Sequence, residues 1–172
     1  MFRPTRRPRP RPRGFTLPEV LAASAVLALA IAAIAQAISA GQKTTFAALD
    51  ELRAHALAEA LIEEIIAKPY TDAEGATDLG PDDGETNRAA FDNSDDYHGF
   101  SESAGAIADA AGVAYPQTYQ TFARSVAAQY TTQTVTGFSQ TLNGLEVTVT
   151  VTGPNGQTWT FTRFIPEDVG GS

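Results

Sequence analysis

Cysteine is absent from the 172 residues, so no disulfide staples the fold and thiol chemistry is closed to it. Histidine is scarce: His55 and His98 lie far apart in the chain, which argues against a zinc site or a shared catalytic role. No serine lies in a nucleophile-elbow string, and Gly75, Gly80 and Gly84 are followed by no Gly-Lys-Ser/Thr, which excludes a recognisable acyl-transfer or phosphate-binding loop. The helical spacing of Glu59, Glu63 and Glu64 reads as a charged outer face rather than an acid/base pair. The expectation is a chain with no enzymatic activity and no cofactor.

Basic residues are also few once the first segment is set aside. Arg3, Arg6, Arg7, Arg9, Arg11 and Arg13 are half of the 12 Lys and Arg, and all precede Gly14. The remainder of the chain sets six bases against 20 acids, a charge of about −14. Such an acidic body repels polyanions and favours solubility, so nucleic acid is not an expected partner. The Pro/Arg leader reads instead as a positive-inside anchor, because it adjoins an apolar run.

That run is defined by what it lacks. No charged residue occurs from Val20 to Gln42, a stretch of 23 positions, long enough as a helix to cross a hydrocarbon layer of roughly 30 Å. It is rich in alanine, including Ala22, Ala25, Ala28, Ala32 and Ala35, and small side chains let neighbouring helices approach closely. A secretory signal peptide is the rival reading, but the run exceeds the usual h-region and Glu19 stands at its head.

Proline is missing between Val20 and Lys68, and Gly41 is the only glycine there. One helix from about Leu17 to Ala67 is therefore expected, ending where Pro69 disfavours helical geometry at Lys68. Its second half is amphipathic, with Phe46, Leu49, Leu52, Ala56, Ala60, Leu61, Ile65 and Ile66 as the apolar set. Residues 70–117 are broken by glycines and prolines and are expected to carry little regular structure.

The C-terminal third turns to β patterning. Phe122, Val126 and Tyr130 mark one strand, and Leu145, Val147, Val149 and Val151 alternate with Glu146, Thr148, Thr150 and Thr152 in another. Pro154, Asn155 and Gly156 supply a turn, after which Trp159, Phe161, Arg163, Phe164 and Ile165 return on a hairpin strand. Packing the sheet on the amphipathic helix buries both apolar faces, so the expected class is α+β: a long N-terminal helix, transmembrane in its first half, against a small C-terminal antiparallel sheet with a long irregular loop region. The expected divisions are a leader over 1–14, a transmembrane and packing helix over 15–41, an amphipathic helix over 42–68, loops over 69–117 and a sheet head over 118–172.

Asp92, Asn93, Ser94, Asp95 and Asp96 form an oxygen-rich stretch, and Asp92, Asp95 and Asp96 are calcium candidates because hard cations take several carboxylates and carbonyls. The EF-hand pattern fails, since Tyr97 and Ser103 stand where its glycine and glutamate belong. The plainer reading is a solvated turn in which aspartates cap backbone amides.

Gly14, Phe15, Thr16, Leu17, Pro18 and Glu19, followed by a long Ala/Leu/Val helix, resemble the N-terminus of type IV pilins and of the pseudopilins of type II secretion. The resemblance implies that a prepilin peptidase cuts between Gly14 and Phe15 and N-methylates Phe15. It implies that Glu19 sets register in assembly, paired with the α-ammonium of an adjacent subunit. A carboxylate in hydrocarbon costs several kcal/mol unless paired, so the arrangement is physically sensible; without a partner, Glu19 still complements the helix dipole at an interface.

Pro18 departs from the aliphatic residue common there in the family, Gln36 sits in a span that lacks the kinking proline of many major pilins, and the C-terminal disulfide is missing. These departures favour a minor pilin or pseudopilin. The stretches 56–70 and 91–99 are similar to minor pilins of the mannose-sensitive haemagglutinin pilus (MshD-like). The implied partners are the prepilin peptidase, other pilin or pseudopilin subunits, an inner-membrane assembly platform and membrane lipid. The implied location is a single pass of the inner membrane with the head outside the cytoplasm, then a pilus or pseudopilus. A pseudopilin of a secretion or DNA-uptake system and a membrane-anchored binding domain that never polymerises are the alternatives.

Overall fold

The stretch without an interior proline forms one helix of 50 residues, α1 (Leu17–Ile66). A computed structural model of the chain describes residues 14–70, 78–135 and 140–167; all of the leader but Gly14 therefore lies outside the described residues. Two compact units divide the chain, residues up to Phe46 and residues from Ala47 onward.

In the first unit every side chain from Gly14 to Phe46 is exposed. Hydroxyls within this apolar stretch are satisfied locally. Ser24 Oγ donates to the Leu21 carbonyl (2.9 Å), and Thr44 and Thr45 donate to the carbonyls of Ala40 and Gly41 (both 3.0 Å). Such back-bonding lowers the cost of carrying these three hydroxyls on the helix surface.

The second unit is α+β. Its sheet is an antiparallel meander in the order β1 (Ser101–Glu102), β2 (Ala123–Val135), β3 (Gln140–Thr152) and β4 (Thr158–Pro166). β2 and β3 pair from Ala123↔Thr152 to Val135↔Gln140, and β3 and β4 from Thr152↔Thr158 to Gly144↔Pro166. The β3–β4 turn needs Gly156, whose φ of +75° is one that side chains disfavour. β1 is a two-residue strand drawn from the region expected to be loop, and it pairs with Arg124 and Ser125 at the start of β2.

The core forms where the two periodicities meet. Leu145, Val147, Val149 and Val151, spaced by two on β3, are buried together with Ala54, Leu57, Ala58, Leu61, Ile62 and Ile65, spaced by three and four on α1. The helical stripe differs from the expected one. Phe46, Leu52 and Ile66 are exposed, as are Ala56 and, narrowly, Leu49, because the sheet meets the face one position round from Leu52 and Ala56. An alanine-rich helix is apolar on several faces at once, so composition did not single out the one that packs.

Helix α1 ends through contacts with the loop region. Ser94 Oγ donates to the Ile65 carbonyl (3.0 Å), which also accepts from the Lys68 N–H (3.1 Å), and the Ser94 N–H donates to the Pro69 carbonyl (2.9 Å). Lys68 Nζ donates to the Phe91 carbonyl. The loops are thus pinned to the helix end that Pro69 creates.

Candidate functional site

The residues singled out at the N-terminus fall at the start of α1. Gly14, Phe15 and Thr16 precede the helix, and Glu19 lies in its first turn. The N–H groups of Glu19 and Val20 donate to the Thr16 carbonyl (both 3.1 Å). Glu19 Oε2 accepts from the Thr16 N–H at 3.5 Å, the return half of a capping box. Pro18 costs nothing here, since a first-turn N–H has no intrahelical partner to lose. Phe15 is 81% exposed, and Glu19 is the only charged side chain between Gly14 and Gln42. The segment therefore presents one carboxylate beside a bare aromatic on an otherwise apolar rod.

In the head, the stretch Asp92–Asp96 is organised by its own side chains, but it is not a solvated turn. Asp95 and Asp96 are buried. Asn93 Oδ1 accepts from the N–H groups of Asp95 (3.0 Å) and Asp96 (3.1 Å), and Asp96 Oδ2 from those of Asp92 and Asn93 (both 2.9 Å). The three calcium candidates separate. Tyr130 Oη donates to Asp95 Oδ2 (2.7 Å), whereas Asp92 and Asp96 meet Glu85, one carboxylate oxygen from each lying within 4.8 Å of the others. Burial, then the charges of Asp96 and Asp92, hold the Glu85 carboxyl above its ordinary range. Glu85 joins the cluster through a β-turn over Asp82–Glu85, where Gly84 takes φ +113°.

A second polar group lies inside the head. Arg124 occupies an inward position of β2 between Phe122 and Val126, and it is fully buried. Its Nε pairs with Glu102, its Nη1 donates to the Leu57 carbonyl (3.0 Å) and its Nη2 to that of Ala108 (2.6 Å). Arg88 pairs with Glu64, bonds the other Glu102 oxygen (3.2 Å) and also reaches the Ala108 carbonyl (3.0 Å). Tyr97 Oη donates to Glu64 Oε1 (2.7 Å). Burial acts to raise the Glu64 pKa, but hydrogen bonds from Arg88 and Tyr97 and the two guanidinium charges outweigh it, so the carboxyl lies below its ordinary range. Glu64 is therefore not part of the charged outer face that helical spacing suggested. The signal for Arg124 was present in the alternation Phe122, Arg124, Val126, Ala128; nothing local marked its partners.

The histidines stay apart. His98 Nδ1 accepts from the Ala128 N–H (3.0 Å), and exposed His55 lies 3.6 Å from Glu59 with its ring against Phe161.

The first unit presents an isolated carboxylate at the head of an apolar helix, and the second is an α+β unit with an antiparallel sheet. The family described as the prokaryotic N-terminal methylation motif matches residues 9–35, which contain Gly14, Phe15 and Glu19. The match places a prepilin-type N-terminal methylation motif at the head of α1, the kind of motif that prepilin peptidase processes in type IV pilin-like proteins. With the single apolar N-terminal helix, it supports a membrane-anchored, single-pass chain. Neither the curated proteins nor the solved structures contain a match.

Proposed function

We propose that this chain is a minor pilin, most like those of the mannose-sensitive haemagglutinin pilus, made as a precursor and incorporated into a filament. Prepilin peptidase cuts between Gly14 and Phe15 and methylates the new Phe15 amine. The apolar half of α1 then holds the subunit in the inner membrane, its head outside the cytoplasm, until an assembly platform extracts it. In the filament, Glu19 accepts the α-ammonium of a neighbouring subunit and so fixes the register. The observation that carries this reading is the placement of Glu19: one carboxylate in the first turn of a helix with no other charge before Lys43, two turns at most from the exposed Phe15. Unpaired in lipid it is costly, and the cleaved amine is the partner that chemistry supplies.

The test is to coexpress the chain with a prepilin peptidase and weigh the product. Loss of residues 1–14 with gain of one methyl group is expected; an intact leader refutes the reading. Glu19→Ala should then be cleaved as wild type but drop out of sheared filaments. Equal incorporation of that variant rules out the register role, and absence of the wild-type chain from filaments points to a static anchor.

A further inference from the structure

The acidic cluster in the head has a feature that a merely solvated group of carboxylates lacks. Asp96 is 1% exposed, and its Oδ1 is buried without a hydrogen-bond donor among the described residues. A carboxylate oxygen withdrawn from water and left unmatched is destabilising. The other oxygen is already held by two backbone N–H groups, so the carboxylate is fixed in place and cannot turn outward to find solvent. The Asp96 carboxylate is brought together with the half-exposed Glu85 and the exposed Asp92.

The surroundings add negative charge rather than remove it. Asp78, Asp82, Asp83, Glu85 and Asp92 line an open cavity of about 680 Å³, and among the described residues no basic side chain lines it. The shortage of bases in the head makes a protein counter-charge hard to supply here. We propose that Glu85, Asp92 and Asp96 form a Ca2+ site, with Asp96 as its buried, pre-positioned ligand and water completing the shell from the cavity side.

Calcium suits the donor set better than magnesium. Ca2+ accepts an irregular shell of six to eight oxygens, which a turn and a loop can provide, whereas Mg2+ demands near-octahedral geometry and keeps most of its waters. The site pins the Asp82–Glu85 turn to the segment that caps the C-terminal end of α1 through Ser94, so its occupancy bears on how firmly the loops are held. It stands independently of the pilin reading.

The probe is Ca2+ alone, titrated by calorimetry into the full chain in detergent after chelator treatment, at neutral pH and moderate salt. One saturable site with a Kd of about 0.1–1 mM is expected, in the range of open extracellular sites, together with a higher melting temperature in Ca2+ than in chelator. Glu85→Gln with Asp92→Asn should weaken binding at least tenfold and abolish the melting shift. In chelator the same double variant should melt at or above the wild-type temperature, because it removes like-charge repulsion; this separates ligand loss from misfolding. Asp83→Asn, outside the cluster but on the same cavity, should bind as wild type. No saturable heat up to about 10 mM, equal binding by the double variant, or Mg2+ binding as tight as Ca2+ would each overturn the proposal.

Discussion

Arg124 on β2 donates to the carbonyl of Leu57 in the buried part of α1 at 3.0 Å, although the two residues are 67 apart in sequence. The same guanidinium pairs with Glu102 on β1 and bonds Ala108 in the following loop. A single side chain therefore ties helix, sheet edge and loop together inside the apolar core. Its charge is tolerable there because Glu102 neutralises it and carbonyls take the remaining donors.

Breaking this arrangement on one side should be costly. Arg124→Met leaves the buried Glu102 paired with Arg88 alone, and is expected to destabilise the head by about 3–5 kcal/mol. Arg124→Met combined with Glu102→Gln should cost less than the two single changes added together, since the uncompensated charge is gone. Denaturant unfolding of the four chains measures the coupling. Strict additivity would show that Arg124 acts through packing alone.

Glu64 makes a pH prediction whose sign is fixed by its environment. Its carboxyl is held below the ordinary value by Arg88, Tyr97 and Arg124 against the opposing effect of burial. A depressed folded-state pKa means stability that is fully present above the unfolded value of about 4.3 and lost as pH falls through the lower folded value. The melting temperature of wild type should therefore fall below about pH 4.5, and Glu64→Gln should fall less steeply over the same range. Parallel acid limbs for the two proteins would refute the contribution.

Which parts could be read beforehand follows from how local their causes are. The β3–β4 hairpin was legible because Leu145 to Val151 alternate and Pro154, Asn155 and Gly156 form the turn within a few residues. The extent of α1 was legible from the lack of proline. The buried stripe Ala54, Leu57, Leu61, Ile65 was not, because Leu52, Ala56 and Ala60 offer an equally apolar stripe and only the sheet decides between them. Arg88, Glu102 and Glu64, the partners of Arg124 in the buried network, were silent for a different reason. Each looks like a solvated charge until the fold brings residues from four segments together. The aspartate loop lay between these cases: its cluster was visible, but Asp95 turns to Tyr130 and Glu85 arrives from a separate turn.

Gly144 makes a steric prediction. A Cβ at this position on β3 would lie 2.4 Å from the carbonyl oxygen of Ile165 and equally close to the Phe164 ring. The ring can move, but the backbone oxygen belongs to the β3–β4 ladder, where Leu145 faces Ile165. Gly144→Ala is expected to destabilise the head by about 1–3 kcal/mol, seen as a lower melting temperature of the full chain in detergent. A neutral result would mean that the end of β4 shifts freely.

Gly41 should show the opposite behaviour. It lies inside α1, and a Cβ there meets nothing within 4 Å. Within one chain it is therefore a net cost, since glycine in a helix interior is worse than alanine by roughly 0.5–1 kcal/mol. Its neighbours Ala40 and Ala37 are small as well, so this stretch allows another helix to come close. Gly41→Ala should consequently raise the thermal stability of helix in the detergent-solubilised chain, yet lower the amount of the subunit recovered in sheared filaments. Circular dichroism and filament immunoblots read the two effects separately. A variant that is both more helical and incorporated as well as wild type would show that Gly41 is not at a helix–helix contact in the filament.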